Sequence, residues 1–351
     1  MSDPLPTPSP PHRTRAVAKA VLQILGFVIG IAILGWCVST ALKPGNREAL
    51  TRLHEASFGQ IAALIGLTIV IIVASGAVFR ETLVPIKRLS ILPAQATNTI
   101  ACLLVLAPFK LSVLFRVLVH NRRDGVPLLT IGAWFGAVGV VILCVLLPMM
   151  GGAAMRGRAD TAWFIIAGGG MLACLLLVLL VARALATPRG WDWAQRLYAR
   201  FPLPARLRPG SIAATVLFEK AHEGVRMLAS PRVVFGCAAL RLIDFAAQAG
   251  RIAIAAAIIG VPLEWDRALL AGLVFFLITA AAPSGALGAR EGGTAWLIGV
   301  VLAGVDRDRF LLVVLTVSAT EAAVLLIGSA ISLAYLRPDR LLRLGHKPKI
   351  D

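Results

Sequence analysis

The chain has 351 residues, 58% of them hydrophobic, and carries 35 Lys and Arg against 18 Asp and Glu, a formal net charge of +17. With a mean hydropathy of +0.84 it is too apolar for a soluble domain, and its continuous, helix-length apolar runs exclude a β-barrel of alternating ten-residue strands. The basic residues sit mainly in the hydrophilic connections, so the charge reads as the positive-inside pattern and contact with anionic headgroups, and no nucleic acid is expected as a partner.

The first element is a Pro-rich stretch, residues 1–16, expected to be a disordered cytoplasmic tail. Six runs have the length and composition of full spans: about 17–42, 58–79, 127–149, 161–186, 232–260 and 310–336. The run after residue 17 is too long for a signal-peptide core, so it reads as an uncleaved first span. Residues 91–119 and 268–302 are different. The first carries Pro93, Pro108, Lys110 and Arg116; the second carries Pro283, a cluster of Gly that includes Gly285 and Gly288, Arg290 and Glu291. Each is too short for two spans of about 20 residues.

Charge decides how they run. The N-terminus (His12, Arg13, Arg15), the 188–231 connection (Arg189 to Arg226) and the 338–351 tail with the neighbouring Arg337 are all basic and should be cytoplasmic. That is satisfied when 91–119 enters and returns on one face and 268–302 does so on the other. The expected fold is therefore all-α and integral to the membrane: six transmembrane helices plus two oppositely oriented re-entrant hairpins, in a single domain over 17–337. The hairpins suggest an inverted repeat with a midplane site. In the 188–231 connection, "WDWAQRLYARF" places Trp191, Trp193 and Tyr198 at an interfacial belt. The segment after Ser211 has apolar residues at helical spacing, as in a helix lying on the membrane surface.

The chemistry-bearing residues gather at a few places. Arg241, Asp244, Gln248 and Arg251 share one face of the fifth span. Each charge at the bilayer centre costs about 2.5–3.5 kcal/mol, so the stripe must face the bundle interior. Either Asp244 locks Arg241 in a structural network, or the cationic surplus takes an anionic ligand. In the second hairpin Pro283, Gly285 and Gly288 allow a tight turn, and a half-helix starting near Gly288 would offer free N–H groups to a phosphate. Arg290 and Glu291 follow. Glu321, in the last span near Thr316 and Thr320, is either a counter-ion for Arg290 or Arg251 or a proton carrier. Lys110 and Arg116 lie nearer the inferred cytoplasmic face, where snorkelling competes with a binding role. The five cysteines read as small buried hydrophobes. No metal-ligand spacing, no Walker A sequence and no nucleophile–base pair is present, so neither cofactor nor metal is expected.

At these residues the chain resembles the transmembrane flippase-like domain of lysylphosphatidylglycerol synthases, the multiple peptide resistance factor family. "PSGALGAREGG" looks like that family's Pro- and Gly-rich motif ending in Glu, at Pro283, Gly285, Gly288 and Glu291. "TNTIACLLVLAPFKLSVLFRVLVHNRRDGVP" is similar to the family's first-hairpin segment at Asn98, Pro108 and Arg116, departing at Ser112 and Val113, where the family often has Gly-Glu. The resemblance implies lipid handling in a bacterial inner membrane: movement of an anionic phospholipid, or of a polyprenyl-phosphate or hopanoid-type lipid, between leaflets. A chain ending at Asp351 has no room for the aminoacyl-transferase domain of full-length members. Membrane-embedded transferase, accessory role and homo-oligomer stay open as alternatives. Arg290→Ala and Arg241→Ala are expected to slow lipid movement without unfolding the bundle.

Overall fold

A computed structural model describes residues 10–156, 158–200, 212–261, 263–282, 285–301 and 305–337. Among them every regular element is helical. The six long apolar helices are α1 (Pro10–Ala41), α3 (Phe58–Leu83), α6 (Leu128–Arg156), α7 (Thr161–Ala186), α10 (Pro231–Ile259) and α13 (Arg307–Leu336). They fall where the apolar runs place them, with longer ends. α1 begins at Pro10, inside the stretch expected to be a tail; proline suits a first helical turn, where its missing N–H is not needed. α3 continues past the apolar edge to Leu83. There Arg80 pairs with Glu81 and donates to the Leu89 carbonyl at 3.0 Å, so the polar end of the helix is satisfied.

Caps set several of the boundaries. Ser57 and Gln60 form a reciprocal capping box at the start of α3. Asp306 accepts from the Asp308 and Arg309 amides to start α13, and Gly260, at φ +82°, ends α10. Asp160 starts α7 by accepting from the Trp163 amide at 2.9 Å, and it also pairs with Arg156 at 2.5 Å and Arg158 at 3.1 Å. The Arg156 hydrogen bond, helped by the Trp163 amide, holds the Asp160 carboxyl well below the ordinary 3.8 of an aspartate. A carboxyl with a depressed folded pKa stabilises at every pH above its unfolded value and loses that contribution only as pH falls through the lower folded value. Thermal unfolding in micelles should therefore show Asp160→Ala less stable than wild type at neutral pH, with the gap closing only below pH 3.8.

Burial ranks the spans. Of the most apolar window of α10, 61% is buried, against 11% for α1 and 17% for α7. α10 is thus the central helix, crossing α3, and α1 is peripheral. One core packs α3, α6, α7 and α10 around Trp134, whose indole donates to the Phe79 carbonyl at 2.8 Å and stands edge-on to Phe79. A second packs α10, α13, α1 and the segment around Phe275 about Ile252, Phe310 and Cys37. All five cysteines are free thiols.

Between the long helices lie two helical hairpins: α4 (Ile91–Leu104) with α5 (Leu111–Arg122), and α11 (Trp265–Ala281) with α12 (Ala289–Val301). At 1.5 Å per residue these arms are roughly 18–25 Å long, short of the roughly 30 Å a hydrocarbon core needs. The first hairpin begins and ends at the same end of the bundle, because Lys87, before α4, donates to the Asp124 carbonyl, after α5. Arg232–Glu81 at 3.3 Å and Thr130–Glu223 at 2.5 Å tie the other elements of that end. The second hairpin belongs to the opposite end. Asp266, at the start of α11, accepts from the Ala159 amide of the α6–α7 turn, and Gly299, near the end of α12, packs against Arg307. Lys43–Asp308 closes this end at 3.3 Å.

At the basic end α8 (Pro188–Ala199) stacks Trp191 on Phe218 and His222 of α9 (Ile212–Leu228). α9 is docked on the bundle: Glu223 reaches Thr130, Gly224 lies against Ala133, and Met227 is buried. Short helix α2 (Arg47–His54) sits at the opposite end.

Candidate functional site

The hairpin tips meet. The Ala286 amide donates to the Val105 carbonyl at 3.2 Å. A Cβ on Gly285 would lie 2.9 Å from the Leu106 carbonyl oxygen, so the two backbones approach as closely as only glycine allows, and Gly285 takes φ +105°. Pro283 lies outside the described residues. Pro108 sits in the break between α4 and α5, just before Phe109 (φ +64°) and Lys110 (φ +50°). Non-glycine residues in this left-handed region cost about 1–2 kcal/mol each, and the second hairpin makes its equivalent break with Gly285 and Gly288 instead.

Beside the second tip runs a connected polar network. Arg251 donates to Thr68 Oγ1 at 3.2 Å, to Glu321 Oε2 at 3.1 Å and to the Gln248 side-chain oxygen. Arg290 donates to Glu321 Oε1 at 3.1 Å and Glu291 Oε1 at 3.0 Å, with its guanidinium 4.6 Å from the centre of the Phe275 ring. Ser318 donates to Glu291 at 2.7 Å. The network joins α3, α10, α12 and α13, and its two cations and two anions balance. Glu321 is the counter-ion of both arginines, which favours that reading over a proton carrier.

Glu291 changes the reading of the half-helix. Its Oε2 accepts from the Gly288 amide at 2.7 Å, three residues back at the N-terminus of α12. A carboxylate in the first turn of the helix thus occupies the position at which free N–H groups would receive a phosphate. The Gly288–Glu291 spacing was the sequence signal for this cap.

Two further pairs stand apart. Arg241 and Asp244 bond at 2.6 Å, both buried. Arg116 donates to Asn98 Oδ1 at 2.6 Å and stacks 4.0 Å from the Phe79 ring centre; Asn98 in turn donates to the Ile72 carbonyl at 2.8 Å. Among the described residues Arg116 has no carboxylate partner. Lys110 is separate from all of these, exposed at the tip and without a partner among the described residues. It stands a full α5 length, roughly 18 Å, from the end where that hairpin begins, beyond a lysine's reach. The helix break at Pro108 makes Lys110 the turning point of the hairpin.

Sequence reasoning missed Thr68, Ser318, Phe79 and Phe275. Ser318, one helical turn before Glu321, was the most legible. Thr316 and Thr320, noted instead, donate to carbonyls four residues back in their own helix. No group of three His, Cys, Asp or Glu among the described residues could hold a metal ion.

The profile of one family, the lysylphosphatidylglycerol synthase TM region, matches residues 23–328. No curated protein and no solved structure matches the chain. With six helices long and apolar enough to cross a membrane and a family match over most of its length, the chain is a multi-pass membrane protein with a lipid-related role and belongs to the lysylphosphatidylglycerol synthase transmembrane-region family.

Proposed function

We propose that the protein moves an anionic lipid between leaflets of a bacterial inner membrane, with the basic end of the bundle and both termini cytoplasmic. The observation that carries this reading is the tip-to-tip contact of two hairpins that start from opposite ends of the bundle. Read as re-entrant, each hairpin covers half of the bilayer, and together they form two thin barriers in series where a full span would form one. The helix sets α3–α6 and α10–α13 then stand as the halves of an inverted repeat.

The buried arginines support a revised division of labour. The balanced Arg251–Glu321–Arg290–Glu291 network ties the second hairpin to α10 and α13 and leaves little net charge for a headgroup. Four arginines (Arg116, Arg241, Arg251, Arg290) face three carboxylates (Asp244, Glu291, Glu321), and the unmatched one is Arg116, on the first hairpin. The network anchors one gate, while the first hairpin carries the free positive charge that attracts an anionic lipid.

Leaflet protection tests this. Purified protein in liposomes containing headgroup-labelled phosphatidylglycerol should let an impermeant quencher reach the inner-leaflet pool, which stays protected in protein-free liposomes. An inner pool that remains protected across phosphatidylglycerol, cardiolipin and polyprenyl-phosphate would overturn the translocator reading.

A further inference from the structure

Helix α8 packs one face on the bundle and leaves the other unused. Thr187 is the single residue between it and α7, and its hydroxyl accepts from the Gly190 amide at 3.1 Å to start α8. A Cβ on Gly190 would overlap the Ala184 carbonyl of α7, so the first turn of α8 folds back against the last turn of the span. α8 is therefore held at the level where α7 leaves the bilayer. Trp191, Ala194 and Tyr198, spaced i, i+3 and i+7, form its half-buried inner face. The Trp191 and Tyr198 rings lie against Phe218 of α9, with centroids 4.4 and 5.3 Å away.

Arg189, Trp193, Arg196 and Arg200 recur at i, i+4, i+7 and i+11, the opposite stripe of the same helix. All four are exposed, Trp193 by 56%, and Leu197 is exposed beside them. Among the described residues none of the three guanidinium groups meets a carboxylate; Arg196 donates to the Asp192 carbonyl of its own helix at 3.3 Å. Sequence neighbours do not neutralise the stripe either: residues 188–211 hold Arg189, Arg196, Arg200, Arg206 and Arg208 against Asp192 alone. A face turned to water has no use for an open indole, and a face turned to hydrocarbon cannot carry three unpaired arginines. Arginines interleaved with Trp and Leu fit the boundary between the two, where an indole sits among headgroups and guanidinium groups meet phosphates.

We propose that the outer face of α8 docks on the anionic phospholipid surface of the leaflet at the basic end. Trp193 and Leu197 sit at the acyl boundary, and Arg189, Arg196 and Arg200 meet the phosphates. The tether favours a membrane over a soluble acidic partner: α7 is only 17% buried over its most apolar window, so lipid surrounds most of the span from which α8 folds back. The contact is a surface, separate from the hairpins and the buried arginine network, and it stands whether or not the protein moves lipid. Trp191 and Tyr198, expected at an interfacial belt, turn inward on α9, and α9 itself is docked on the bundle. The surface role falls to the stripe on α8.

Hydrogen exchange of the full chain in nanodiscs tests it, with phosphatidylcholine alone or mixed with phosphatidylglycerol. Docking suppresses the local opening through which α8 exchanges, so its amides should exchange more slowly when phosphatidylglycerol is present. Each arginine near an anionic surface is worth about a fivefold gain, so the three together should give up to roughly a hundredfold. Added salt should shrink the gain. The triple variant Arg189→Gln, Arg196→Gln, Arg200→Gln should abolish it, and the corresponding triple change to Lys should keep most of it. Helix α2, at the opposite end, is the internal control. Equal exchange of α8 in the two nanodiscs would overturn the proposal, and so would a gain of the same size in α2, which would report general stabilisation by the lipid. Slower exchange on adding polyglutamate to phosphatidylcholine nanodiscs, with none from phosphatidylglycerol, would overturn it too and assign the face to an acidic protein partner.

Discussion

Glu321→Leu should be among the most damaging single substitutions in the protein. It leaves Arg251 and Arg290 buried with only Glu291 to balance them, and breaking a buried pair by removing one partner costs about 3–5 kcal/mol. Glu321 accepts from both guanidinium groups at 3.1 Å, so its loss frees donors on two helices at once. The paired change Arg251→Met with Glu321→Leu should be milder than Glu321→Leu alone, because the Arg290–Glu291 pair at 3.0 Å remains neutral. Chemical unfolding in mixed micelles reads both. A double variant whose loss equals the sum of the two single losses would show that the groups are not coupled. The same electrostatics revises the expectation for Arg290→Ala. That change leaves Arg251 alone to balance Glu291 and Glu321 and should weaken the bundle as well as slow lipid movement, so a slow Arg290→Ala variant does not by itself locate a headgroup.

How far the sequence leads is clearest at particular residues. The six spans are legible because a bilayer demands long apolar runs, and the hairpins because 91–119 and 268–302 are too short and too polar at their centres to cross twice. The stripe on α10 is legible because helical spacing alone places Arg241, Asp244, Gln248 and Arg251 on one face, and all four are buried. Their partners are legible only in part. Helical spacing pairs Arg241 with Asp244, and Glu321 inside the last span reads as a counter-ion for Arg290 or Arg251. Thr68, which accepts from Arg251, is brought there from a distant helix only by tertiary packing. The place of Lys110 at the hairpin's turn is not legible for a related reason. Counting charges along a segment gives its ends, whereas a helix break sets its turning point.

Gly288→Ala should be the second large effect, through the backbone alone. Gly288 takes φ +77°, and an added Cβ would lie 1.7 Å from the Gly30 carbonyl oxygen of α1. Left-handed backbone costs an alanine about 1–2 kcal/mol. The overlap is with backbone, so no side chain can swing aside; α1 or the hairpin tip must move. The total should reach about 2–4 kcal/mol, in the range of special-backbone substitutions. Gly35→Ala, further along α1 with no atom within 4 Å of its added Cβ, is the control and should be neutral or mildly stabilising, as alanine is within a helix. Thermal unfolding in micelles separates them, and equal stabilities would show that α1 does not seat on the tip. The contact matters because α1 is otherwise little buried. One face of the second hairpin is fixed by the charged network, the other by this glycine-to-glycine approach, so Gly288→Ala releases one side while leaving every charge in place. If the second hairpin is a gate, leaflet movement should change in this variant even in the fraction that stays folded. Unchanged movement would place the gate in the first hairpin, with Lys110.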